Sequence, residues 1–218
     1  MTTCVSCGTL LPPEARFCPS CGATVGSPPP SEERKVATVL FADLVGSTQL
    51  GEQDPERTRL LLDRFYDAMA VEITAVGGTV EKFVGDAVMA VFGAPFPQPD
   101  HADRAVAAAL DMHALQAEIN GRWRADGLPP FGLGLGLSTG EAAAALLGSA
   151  ERLEYTLVGD TVNLSQRLQQ LADPGETVLS EATFKALRTE VVAAALGAQR
   201  VKGRDAPVYA YKINRVGE

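Results

Sequence analysis

Nothing in the sequence is long and apolar enough to cross a bilayer. The longest stretch free of charged residues is the 15-residue run Phe17–Ser31, and prolines, glycines and cysteines interrupt it. No secretory leader is expected either, because Met1-Thr2-Thr3-Cys4 offers neither a basic start nor an apolar run. These two absences predict a cytoplasmic protein with no membrane partner. Positive charge is short as well: 19 lysines and arginines stand against 27 acidic residues, for a net charge of −8. The first 35 residues carry three charges of each sign, so the acidic excess lies wholly beyond Lys35. Such a field disfavours non-specific binding of nucleic acid. A polyphosphate handled by this chain needs positive charge placed locally or brought by metal ions.

Cysteine is absent after residue 21, and the four cysteines before that point are regularly spaced: Cys4-x2-Cys7, then ten residues, then Cys18-x2-Cys21. Each Cys-x2-Cys pair can turn two thiolates toward one point, and two pairs complete a closed tetrahedral Zn²⁺ site. Residues 1–25 are too few to bury a useful core, so one structural zinc would supply the folding energy. Two disulfides are the alternative, which a reducing cytoplasm disfavours. The segment is similar to the short zinc ribbons found at the ends of many bacterial proteins. A protein partner for this ribbon is compatible with the sequence; its two charges, Glu14 and Arg16, cancel, so no basic patch argues for nucleic acid. Residues 26–34, with Gly26-Ser27-Pro28-Pro29-Pro30-Ser31, read as a linker.

What remains, residues 35–215, is enough for one full-sized domain, and at 46% hydrophobic and 21% charged the composition is that of an ordinary globular chain. Val36–Ala42 is an apolar run of strand length that stops at Asp43. Asp54-Pro55-Glu56 starts a helix, Leu62, Phe65, Met69, Ile73 and Val76 give it one apolar stripe, and Gly77-Gly78 closes it. Thr79–Val84 and Ala87–Phe92 are predicted as a tight hairpin through Gly85-Asp86, followed by a helix over about 99–125. Phe131–Leu137 and Glu141–Leu147 read as a strand pair turning at Thr139-Gly140. The strand Tyr155–Val158 and a helix over about 161–172 follow. The order predicts an α+β fold: a ferredoxin-like βαββαβ sandwich with a mostly antiparallel sheet and further C-terminal β and α elements. His101, His113 and Trp123 read as surface or packing residues.

Asp43 and Asp86 both stand where strands end. Either alone fits a turn former. In a sandwich of this kind, however, the first strand and the hairpin are sheet neighbours, so both acids can meet at one edge and offer hard oxygens to Mg²⁺ carrying phosphates. Asn163 and Arg167, four apart on a helix, share one face, either as a solvated surface or as an amide and a guanidinium for a sugar and a phosphoryl group.

Three blocks carry a resemblance: residues 39–48 (VLFADLVGST), 81–92 (EKFVGDAVMAVF) and 154–168 (EYTLVGDTVNLSQRL). Together they resemble the signature blocks of class III nucleotidyl cyclase catalytic domains, in order and spacing, over about Lys35 to Ile213. The resemblance implies that Asp43, Asp86 and the carbonyl of Leu44 hold two Mg²⁺ or Mn²⁺ ions. It implies that Lys82 and Thr156 select the base, that Asn163 and Arg167 position the ribose and stabilise the transition state, and that Lys202 grips the triphosphate. Lysine with threonine is the adenylyl pattern, since a cation suits the N1 acceptor of adenine and not the N1–H of guanine. The implied activity is conversion of ATP to 3′,5′-cyclic AMP and pyrophosphate by a head-to-tail homodimer whose sites lie at the interface. The alternative is a catalytically weak ATP-binding module that acts through a partner. Ser138-Thr139-Gly140 and Ala142–Ala145 depart from the family pattern.

Overall fold

The computed structural model describes residues 2–3, 9–11, 33–45, 55–125, 127, 130–149 and 152–214. The chain divides into two compact units, Met1–Glu33 and Arg34–Glu218. In the first, strand β1 (Thr2–Thr3) pairs antiparallel with β2 (Leu10–Leu11). The zinc-ligand candidates Cys4, Cys7, Cys18 and Cys21 lie outside the described residues.

Strand β3 (Glu33–Val45) lies in the second unit from Arg34 onward, and its side chains alternate between two cores. Leu40, Ala42 and Leu44 point to one, and Ala37, Val39 and Phe41 to the other. Burial on both faces explains why this strand reads as a continuous apolar run rather than an alternating one. The strand runs two residues past Asp43, which pairs with Ala87, so the acid sits within the ladder and not after it. Helix α1 (Pro55–Ala75) lays Phe65, Met69 and Ile73 on the first core. The hairpin of β4 (Thr79–Val84) and β5 (Ala87–Phe92) has the bounds that the sequence predicts. Helix α2 (His101–Ala125) buries Ala105, Ala108 and Ala109, whose small side chains let it lie close over the sheet.

The predicted turn at Thr139-Gly140 is not there. Strand β6 (Gly132–Ser149) passes straight through it, and its hairpin partner is the later strand β7 (Arg152–Val158), paired from Ala143–Val158 to Ser149–Arg152. A Cβ at Gly140 would stand 2.7 Å from Thr161 Oγ1, so this glycine serves the close approach of another element rather than a change of direction. That element is helix α3 (Asp160–Gln169), which ends three residues before the predicted stop; Leu171 and Ala172 continue only as turns bonded to Leu168 and Gln169. Ser165 Oγ lies 2.8 Å from the carbonyl oxygens of both Val39 and Gly136, its one proton shared between them, and so fastens α3 across β3 and β6.

Beyond α3 lie β8 (Glu176–Ser180), the short helix α4 (Glu181–Ala186), β9 (Ala194–Gln199) and β10 (Val208–Asn214). The sheet order is β4-β5-β3-β6-β8-β10-β9, with β7 on β6. Its first four strands have the ferredoxin-like arrangement, and β6–β8 is a parallel pair in an otherwise antiparallel set of described ladders. His101 bonds Thr38 Oγ1 at 2.7 Å, His113 bonds Thr177 Oγ1 at 3.0 Å, and Trp123 meets Phe131 edge to face, so all three act in packing. Among the described residues no helix is long and apolar enough to cross a membrane.

The α3–β6 contact yields a stability test. A Cβ at Gly136 would lie 2.2 Å from the Gln169 nitrogen and 2.3 Å from the Ser165 carbonyl oxygen, both backbone atoms with no room to yield. Gly136→Ala should destabilise the protein by at least about 2 kcal/mol, seen as a lower urea midpoint for unfolding.

Candidate active site

Three separate groups of polar side chains stand out: one at the end of the β3–β5 ladder, one joining β4 to β7, and one on α3. The first is the acid pair. Asp43 sits opposite Ala87 in the ladder, one residue from Asp86 at the β4–β5 turn, and the Leu44 N–H reaches the Asp86 carbonyl at 3.4 Å. The two carboxyl groups are within hydrogen-bonding reach of one another. Burial, then the charge of Asp86 and the shared hydrogen bond, push Asp43 up to about 6, against a smaller downward pull from the Leu44 backbone. Asp43 Oδ1 is buried and accepts no hydrogen bond. From α1, the Tyr66 hydroxyl donates to the Gly85 carbonyl while its ring lies on Phe83, centroids 4.4 Å apart, so the hairpin tip is braced from below. Burial and the nearby Asp86 also raise the Tyr66 pKa.

An orphaned buried carboxylate oxygen beside a second carboxylate is costly unless a cation balances it. The donor set is all oxygen, which suits a hard divalent ion. Among the described residues no cluster of three or more His, Cys, Asp or Glu side chains stands ready for a metal, so further ligands would come from backbone carbonyls, water or substrate.

The second group joins β4 to β7. Lys82 Nζ donates to Thr156 Oγ1 at 3.1 Å, across 74 residues of sequence. Glu81, which the sequence reading passed over, belongs here too: its Oε1 accepts from the Thr156 hydroxyl and from the Leu157 N–H at 3.2 Å, and lies 3.6 Å from Lys82 Nζ. Strict strand alternation would put Glu81 and Lys82 on opposite faces. A register shift in the β4–β5 ladder between Val80 and Lys82 lets both reach Thr156. No sequence signal marks that bulge. A cleft of about 180 Å³ opens beside Glu81, walled by Val80, Val91, Ala94, Pro95 and Leu157.

The third group lines a cleft of about 200 Å³ containing Asn163, Arg167, Lys202 and Arg204. Arg167 Nη1 donates to Gln170 Oε1 at 3.3 Å, and Arg204 forms a two-point ion pair with Asp160 at the start of α3. Arg204 was visible in the sequence only as a neighbour of Lys202. The structure therefore brings Asp43 to Asp86, Lys82 to Thr156, and Asn163 and Arg167 to Lys202.

Solved structures with the same architecture define the class. Over 86% of this chain and 98% of the other, the adenylyl cyclase CyaB from P. aeruginosa superposes with a TM-score of 0.82 at 32% identity. The guanylyl cyclase Cya2 superposes with a TM-score of 0.81 at 35% identity, over 86% and 96% of the two chains. Residues 30–215 match the adenylate and guanylate cyclase catalytic domain, and residues 3–25 match a zinc-ribbon domain. The chain belongs to the class III cyclase family and carries an N-terminal zinc ribbon. Among curated proteins it is 33% identical over 183 residues to Adenylate cyclase 1 of Rhizobium meliloti (strain 1021), covering 83% of this chain and 28% of that one. It thus spans less than a third of the length of the curated relatives it matches first.

The raised pKa of Asp43 makes folded-state stability depend on pH. Folding favours the protonated carboxyl, so this group's contribution is complete below its ordinary value of 3.8 and is lost as pH rises through about 6. In chelator, Asp43→Asn should melt above wild type at pH 7, with the difference shrinking toward pH 4. Thermal unfolding followed by circular dichroism measures this, and a difference that does not vary with pH would count against the coupled acid pair.

Proposed function

We propose that this chain is an adenylyl cyclase, converting ATP to 3′,5′-cyclic AMP and pyrophosphate. The observation that carries the reading is the acid pair: two adjacent carboxyls, one with an unpartnered buried oxygen, at the edge of a cyclase fold. Asp43, Asp86 and the Leu44 carbonyl would hold two Mg²⁺ or Mn²⁺ ions, which when bound acidify the ribose 3′-OH and neutralise the triphosphate.

The chain's own residues do the rest. Lys82 donates to N1 of adenine and Thr156 meets its 6-amino group. Asn163 orients the ribose so that the 3′-oxygen lies in line with the α-phosphorus. Arg167 balances the negative charge that grows on the α-phosphoryl oxygens as the new P–O bond forms and the bond to pyrophosphate breaks. Lys202 holds the departing triphosphate end. Every one of these positions carries a residue competent for its role, which favours turnover over a binding-only module.

Assembly is as a head-to-tail homodimer, with Asp43 and Asp86 of each site from one protomer and Lys82, Thr156, Asn163, Arg167 and Lys202 from its partner. Val45, Phe83 and Val84 stand exposed around the acid pair, an apolar rim suited to burial against a second copy. The ribbon over residues 1–25 binds one structural Zn²⁺ through Cys4, Cys7, Cys18 and Cys21 and offers a surface to a protein partner. Residues 26–34 link it to the catalytic domain over 35–215, and the protein works in the cytoplasm, where its substrate is.

Incubation with ATP and Mn²⁺ should produce cyclic AMP, and Asp43→Ala should abolish it; equal background from both proteins would refute the activity. Arg167→Ala should lower kcat by about 1000-fold. Mixing the two inactive variants in equal amounts should restore roughly a quarter of wild-type activity, since half the dimers would be mixed and each would hold one intact site. No recovery despite mixed dimers would rule out the shared site.

A further inference from the structure

We propose that Glu81 is a positioning residue for base selection: by accepting the hydrogen bond of the Thr156 hydroxyl it leaves Thr156 able only to accept from a base, so the pocket reads the 6-amino group of adenine and refuses the 6-oxo group of guanine. The inference rests on the adenylyl cyclase reading and deepens it.

A threonine hydroxyl has one proton to donate and two lone pairs. Unconstrained, it rotates and serves a donor or an acceptor equally well, which makes it a poor discriminator between the two purines. Here its three capacities are nearly all assigned. The proton goes to Glu81 Oε1, one lone pair accepts from Lys82 Nζ at 3.1 Å, and the remaining lone pair is the only capacity left for a base. A 6-amino group fits that lone pair. A 6-oxo group would set acceptor against acceptor.

Glu81 is itself held for the task. Its Oε1 also accepts the Leu157 N–H at 3.2 Å, its side chain is only 10% exposed, and the bulge before Lys82 turns it toward Thr156. Thr156 is 8% exposed. In so sheltered a place a mismatched lone pair loses its water and gains nothing in return. The adjoining apolar cleft between Val80, Val91, Ala94, Pro95 and Leu157 extends this dry environment. The same carboxylate lies 3.6 Å from Lys82 Nζ, so the pair that reads the base edge is electrically balanced before substrate arrives.

The test compares kcat/KM for ATP and GTP in the full chain, for wild type, Glu81→Met, Thr156→Val and the double variant. Methionine keeps the length of Glu81 but offers Oγ1 no strong acceptor, so the hydroxyl proton is released; glutamine would not serve, because the Leu157 N–H would hold its oxygen in the place of Oε1. The ATP:GTP ratio of Glu81→Met should fall at least about tenfold, the size expected when one buried donor–acceptor match is lost. The penalty for purine riboside triphosphate, which lacks the 6-amino group, should shrink relative to ATP. Adding Glu81→Met to Thr156→Val should change the ratio no further, because no hydroxyl is left to orient. Equal loss on ATP and GTP, or additive effects in the double variant, would overturn the proposal and leave Glu81 a structural residue. If Glu81→Met does not fold, Thr156→Val decides: a wild-type ratio there would overturn it. Failure of the adenylyl reading shows separately, as a wild-type protein that does not prefer ATP.

Discussion

Two like charges are held together at the end of the β3–β5 ladder, and the rest of the domain is arranged so that they stay there. Asp43 and Asp86 repel, and one carboxyl oxygen is buried with no partner. A flexible loop would relax by letting them part. The ladder cannot, because β3 and β5 are packed on both faces by separate cores and Tyr66 braces the turn from α1. The mismatch is thus built into a rigid frame that keeps both oxygen-donor carboxyls in place.

The group of Glu81, Lys82 and Thr156 shows a different use of local irregularity. A regular β4 would send Glu81 and Lys82 to opposite faces, and Thr156 would meet only one of them. One extra residue in the ladder brings both to the same hydroxyl and turns an ambiguous side chain into one with a fixed polarity. The bulge distorts a single strand, while β5 beside it continues its regular pairing with β3.

Placement of α3 depends on what is missing from β6. Gly136 and Gly140 remove the side chains that would hold the helix off the strand, and Ser165 fills the contact with its hydroxyl shared between two strand carbonyls. Asn163 and Arg167, on the outer side of that helix, are thereby set over one cleft with Lys202, and Arg204 is tied to the helix start through Asp160. The glycine-rich stretch 132–140 is therefore a docking groove for a helix. Read only as punctuation, it suggests a hairpin that does not form.

The sequence by itself determined which segments are helix and strand wherever burial is one-sided or a tight turn intervenes, as in α1 and the β4–β5 hairpin. The reason is that periodicity and turn chemistry are local. It also carried Asp43, Asp86, Lys82, Thr156, Asn163 and Arg167 as candidates, through three blocks whose resemblance to a family is legible without coordinates, and Lys202 beyond them through the same resemblance. Only the tertiary structure decided that β6 runs unbroken through Thr139-Gly140, that Asp43 is paired in the last rung of the β3–β5 ladder, and that Glu81 joins Lys82 at Thr156. Each of these depends on a partner far along the chain: Thr161 for the glycine, Ala87 for the acid, Thr156 for the glutamate. Contacts between residues 20 to 75 positions apart are set by packing of whole elements, and no local pattern of residues records them.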